Sequence, residues 1–150
     1  MHHVHGYRGH DARNNLHYLS SSTSSCIYPA AAACVRLDVA AGRQAFCLEH
    51  SDDILSIAVD ESRDGVQLVA TGEVGKSPLI NVFDALKTPM ETVLSLKGFH
   101  TRGVSHLAFA ADGGTLFSVG LDDDHSIAVY GIKSGKGGKL LFSSKGNKQK

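Results

Sequence analysis

A chain of 150 residues, 42% hydrophobic and 20% charged, has the size and make-up of a single unit able to bury a core. Its 15 Lys and Arg balance 15 Asp and Glu to a formal net charge of zero at pH 7, which argues against nucleic acid or another polyelectrolyte as partner of the whole chain. No stretch approaches the roughly 20 apolar residues of a membrane span, and Met1-His2-His3-Val4-His5 lacks the apolar core of a signal peptide, so the sequence reads as a cytosolic protein with no membrane partner.

From the start, five of the nine histidines fall within the first 17 residues, but His2, His3, His5 and His10 have no Glu-assisted helical spacing and no Cys partners. They are read as a solvated start that meets metal only adventitiously, and no cofactor is expected. Gly6-Tyr7-Arg8-Gly9-His10-Asp11-Ala12-Arg13-Asn14-Asn15-Leu16-His17-Tyr18-Leu19 follows, then the low-complexity run Ser20–Ser25. Cys26, Cys34 and Cys47 are odd in number and lack a C-x-x-C pair, which suits small buried thiols better than disulfides or zinc.

Long helical periodicity is missing, and short apolar runs bounded by Gly, Ser and Asp predict strands. These are Cys34–Val39, Gln44–Leu48, Ile54–Val59, Gln67–Thr71, Leu79–Phe83, Thr92–Leu96, Val104–Phe109, Leu116–Val119, Ile127–Tyr130 and Lys139–Ser143. Turn signals lie between them at Ala41-Gly42, Asp64-Gly65, Asp112-Gly113-Gly114 and Ser134-Gly135. Gly72-Glu73-Val74-Gly75-Lys76-Ser77 ends like a phosphate loop but has the wrong glycine spacing, and no nucleophile elbow surrounds any Ser, so no enzyme is expected. The end carries Lys133, Lys136, Lys139, Lys145, Lys148 and Lys150 without an acid. It reads equally as a polyanion-binding tail or as a strand followed by a solvated end.

A repeat selects among sandwich, barrel and propeller. His50-Ser51-Asp52-Asp53-Ile54-Leu55-Ser56-Ile57-Ala58-Val59 returns as His100-Thr101-Arg102-Gly103-Val104-Ser105-His106-Leu107-Ala108-Phe109, the two histidines 50 residues apart. Val69-Ala70-Thr71-Gly72 matches Phe117-Ser118-Val119-Gly120 at 48, and Val82-Phe83-Asp84 matches Val129-Tyr130-Gly131 at 47. Arg36-Leu37-Asp38 stands 46 before the middle copy. Four strands per unit at this period, opened by a His, predict an all-β fold of WD40-type propeller blades, about three of them in an incomplete ring. Such an open fan is expected to expose strand edges and blade faces, and so to need other blades or proteins to close it. Phe83-Asp84 and Tyr130 stand where the repeat carries Trp-Asp.

Residues 6–19 closely resemble the HELP motif that precedes the propellers of the echinoderm microtubule-associated-protein-like family, at Gly6, Tyr7, Arg8, Gly9, Asp11, Arg13, Asn14, Asn15 and Leu16. The resemblance continues through Cys26–Val39 and His50-Ser51-Asp52-Asp53 to the end of the chain. It implies a division into 1–25 (motif and Ser-rich loop), 26–49 (first partial blade), 50–99 and 100–150 (two repeats, the second with the basic tail). It also implies a structural protein that binds tubulin and decorates microtubules, cytoplasmic and cytoskeletal, with the ciliary axoneme among its sites. The alternative is a general propeller scaffold for another complex. In the motif, Arg8 and Arg13 could meet acidic tubulin. The favoured reading is structural, with Tyr7, Leu16, Tyr18 and Leu19 packing between propellers while Asp11, Arg13 and Asn14 satisfy buried backbone and one another. In the family the opening His joins a buried network with an Asp in the turn before the last core strand. The second copy can supply one from Leu121-Asp122-Asp123-Asp124-His125. The first has none in Glu73–Pro78, and its network is expected to be incomplete. The lysine tail is the electrostatic candidate for tubulin's acidic termini.

Overall fold

The computed structural model describes residues 2–20, 24–61, 65–132 and 138–146, and those residues form strands and turns without a helix. The first four strands, β1 (His17–Tyr18), β2 (Ser25–Ala30), β3 (Ala33–Asp38) and β4 (Arg43–Cys47), make an antiparallel meander in chain order. A second is built from β5 (Ile54–Val59), β6 (Leu68–Gly75), β7 (Ile80–Asp84) and β8 (Thr92–Leu96). The third comprises β9 (Arg102–Phe109), β10 (Thr115–Gly120), β11 (Ile127–Gly131) and β12 (Lys139–Ser144). The second and third are joined where the overhanging end of β6 pairs with β9, Val74 opposite Gly103 and Gly75 opposite Arg102. The chain is thus all β, as the patterning predicts, with three four-stranded blades.

Alternation along each strand decides which blade each side chain faces. On β6 and β7, Val69 and Phe83 turn toward the first blade and share a core with its Leu19, Ile27, Cys34 and Cys47 and with Ile54 and Ile57 of their own blade. Leu68, Ala70, Ile80 and Val82 turn the other way, onto Val104, Leu116, Ala128 and Tyr130 of the third. A strand buried on both faces cannot read as a clean apolar–polar alternation, and Leu68-Val69-Ala70-Thr71 does not.

The two copies agree in their ladders more closely than in their sequences. A bulge sits at Leu55 in β5 and at Ser105 in β9, because Ile54 and Ser56 face Glu73 and Gly72 as Val104 and His106 face Gly120 and Val119. Val59 pairs with Val69, whereas Phe109 pairs with Leu116, so the connection after β9 is three residues shorter. This contraction turns the separation of 50 at the histidines into 47 beyond it. Thr71 therefore corresponds to Ser118, and the match of Thr71-Gly72 to Val119-Gly120 is one residue out of register.

β2 and the short β1 lie outside the predicted strands, whereas β3 falls on the predicted Cys34–Val39. Pro29 argues against a strand, and Ala31-Ala32 carries no turn signal, yet Ala31 adopts φ 52° between the paired Ala30 and Ala33. The outward face of this blade, with Cys26, Tyr28, Ala30, Ala33 and Val35, is packed by Val4, Leu37 and Phe46.

Candidate functional site

The N-terminal motif is held by its own polar groups. Arg8 grips Asp11 with two parallel bonds, Nε to Oδ1 at 2.8 Å and Nη2 to Oδ2 at 2.7 Å, and reaches Asp53 of the second blade through Nη1 at 2.7 Å. Hydrogen bonding to Asp11 raises the guanidinium further, and the same bond to Arg8 holds the Asp11 carboxyl below its usual range. Buried Asn15 accepts from the Tyr7 hydroxyl at 2.6 Å and donates to the carbonyls of Arg8 and Ala12. Asn14 instead supplies a left-handed turn at φ 53° and is exposed, as is Arg13. Gly9 leaves room for the Tyr7 ring, which a Cβ there would meet at 2.8 Å, and Gly6 lies beside Ala30. Upstream, the Gln44 side-chain amide bonds both the N–H and the carbonyl of Val4. Of the four apolar residues expected to pack, Leu19 is buried in this chain; Tyr7, Leu16 and Tyr18 are 54%, 53% and 75% exposed.

Both opening histidines are buried and fully bonded. His50 Nδ1 lies 2.9 Å from Glu73 Oε2, and its Nε2 lies 2.7 Å from the Thr71 hydroxyl. An ionised carboxylate only accepts, so Nδ1 carries the proton and Nε2 accepts from Thr71. Glu73 also accepts from the N–H and hydroxyl of Ser51 and the N–H of Leu79. Burial pushes this carboxyl up, but the bonds from His50, Ser51 and Leu79 outweigh that and hold it below its ordinary value. The expectation of an incomplete first network is thus corrected: a Glu at the end of β6, with one more methylene, reaches where no Asp is available from the turn.

In the second copy His100 Nε2 lies 2.7 Å from Ser118 Oγ and Nδ1 lies 2.8 Å from Ser126 Oγ. Ser126 passes the contact on by donating to Asp122, the Asp that the turn was expected to supply. Gly120 is required here, because a Cβ would stand 2.2 Å from Asp122 Oδ2 and 2.7 Å from His100 Nδ1. Burial lowers the pKa of both histidines. Phe83 is 0% exposed and Tyr130 4%, each in an inter-blade core, while Asp84 accepts from the N–H groups of Gln67 and Leu86 around the turn after β7.

Lys139 and Lys145 are exposed, at the start and just past the end of β12; Lys133, Lys136, Lys148 and Lys150 lie outside the described residues. Among the described residues no three His, Cys, Asp or Glu are grouped to hold a metal. The buried histidines have both ring nitrogens committed to neighbours, an arrangement that builds a joint rather than a reaction centre. Sequence reasoning missed Glu73 and Asn15 as network members. The signal for Glu73 was its place two residues beyond the hydroxyl residue of β6.

The profile described as the HELP motif matches residues 1–35. The chain is 32% identical to mouse echinoderm microtubule-associated protein-like 1 over 134 residues, which is 85% of this chain and 16% of that protein. It is 35% identical to rat echinoderm microtubule-associated protein-like 2 over 137 residues, 85% of this chain and 20% of the relative. It is also 35% identical to the 77 kDa echinoderm microtubule-associated protein of Strongylocentrotus purpuratus over 142 residues, 89% of this chain and 20% of the relative. The chain therefore spans no more than a fifth of the length of these relatives.

Proposed function

The chain belongs, over the residues it shares with them, to the echinoderm microtubule-associated protein-like family, and from that premise we propose that it is a non-enzymatic structural protein of the microtubule cytoskeleton, its blades forming part of a larger propeller. The observation that carries the structural half of this reading is the bare face of the third blade. Ile80 is 1% exposed, while its counterpart Ile127 is 42% exposed; Ala70 is 0% exposed, while its counterpart Phe117 is 43% exposed. A face patterned for burial and left open suits stacking by a further blade, whether from the same polypeptide or from a partner.

The relatives are named as microtubule-associated proteins, which supports microtubules as partner and the cytoskeleton as location; we extend this to tubulin as the subunit contacted and to the axoneme among the sites. The lysines from Lys133 to Lys150 are the group best suited to tubulin's acidic termini, through contacts that weaken as salt rises. Co-sedimentation with microtubules at low and high salt, using the chain alone and joined to enough blades to close a ring, tests this. Salt-sensitive pelleting of the chain supports the lysine tail, and pelleting of the closed ring alone places binding on other blades. If neither pellets nor binds soluble tubulin, the microtubule reading fails.

A further inference from the structure

At the end of the blades opposite the histidine networks, a cleft of about 570 Å³ opens between the first and second blades. Its apolar lining is Leu19, Ala45 and Leu86, and its polar lining is Arg36, Arg43 and Asp38 with Ser25, Gln44 and Thr88. Arg36 is half-buried and donates to the carbonyl of Ala85, to that of Lys87 at 3.4 Å and to the Thr88 hydroxyl at 2.7 Å. These acceptors are neutral. Among the described residues no carboxylate forms an ion pair with this guanidinium, and its Nε–H and second Nη2–H have no acceptor.

Arg43 lies on the same face, directly opposite Asp38, yet makes no ion pair with it. Asp38 Oδ1 instead accepts from the N–H of Ala41 at 3.0 Å. Lys87 is exposed beside them. The cleft is thus lined by two cations and one carboxylate, and the more buried of the two cations is held by neutral groups, which leaves the lining net positive.

We propose that this cleft binds an extended acidic peptide, Arg36 and Arg43 taking glutamate carboxylates in their forks while the apolar lining takes the methylene stems. Leu19, Ala45 and Leu86 suit methylene stems that a bare phosphate lacks, and Asp38 opposes a doubly charged group more than a singly charged one. Tubulin's acidic termini share this chemistry, but the inference does not require tubulin as the source of the peptide, and its test is separate from co-sedimentation.

Binding of a fluorescein-labelled polyglutamate peptide to the full chain, followed by anisotropy at low salt, is the test. Arg43→Glu touches an exposed side chain and is expected to weaken binding about tenfold or more with the thermal midpoint unchanged. Arg36→Lys keeps the charge, loses the fork and weakens binding as well. Lys139→Glu with Lys145→Glu leaves binding as it was. The proposal is overturned if Arg43→Glu binds like the parent, if the lysine pair removes binding instead, or if inorganic phosphate displaces the peptide at far lower concentration than glutarate does.

Discussion

At His50 and His100 a second ring proton would have to be placed among groups already committed: a carboxylate or serine holds Nδ1–H, and a hydroxyl donates to Nε2. Burial accordingly lowers both pKa values below the ordinary 6.5. The unfolded chain takes up protons that the native histidines refuse, so their contribution to stability is full above pH 6.5 and falls as pH drops through it. Glu73, held below 4.5, has the same sign over a lower window: its contribution is full above 4.5 and is lost as the native carboxylate protonates. The denaturant midpoint is therefore expected to decline from pH 7 to 5 and again below 4.5. Replacing both histidines by glutamine should flatten the first decline. Glu73→Gln conserves shape but cannot accept from Ser51, Leu79 and His50 as fully, and is expected to cost about 1–3 kcal/mol at pH 7 in the same measurement.

Among the elements, β6 is the most constrained, since it pairs with three strands and packs against two blades. A Cβ on Gly72 would lie 2.6 Å from Val104 Cβ and 2.7 Å from Ser56 Oγ. Gly72→Ala must push β9 away, and a cost of about 1–3 kcal/mol is expected, with amide hydrogen exchange accelerating in β9 before it does in β2 or β3. The core strands were legible because their apolar runs end at glycine or aspartate; Ile54–Val59 and Thr92–Leu96 coincide with their predicted bounds. β2 and its turn into β3 were not, because a left-handed Ala31 and a strand Pro29 contradict local preference and are imposed by packing. The histidines were legible from their spacing. Their partners were less so, because Glu73 and Ser126 are fixed by reach across a turn, which spacing does not encode.

For the whole molecule, Phe117, Ile127, Leu141 and Phe142 form an exposed apolar group on the last blade, and β12 is exposed along its length. Such an edge invites association. The isolated chain is expected to run above its monomer mass in light scattering at micromolar concentration, and Phe117→Lys with Phe142→Lys should return it toward the monomer.

The opposite flank is finished differently. Val4 lies over the outer face of the first blade, tied to Gln44, while all four strands of that blade are consecutive in the chain. The stack thus has one flank partly covered by Val4 and one left bare, and the order of its blades is the order of their strands in the chain. A chain laid down from its N-terminus on the ribosome finds the partner for each new blade already made, and the surface awaiting cover is always the youngest one.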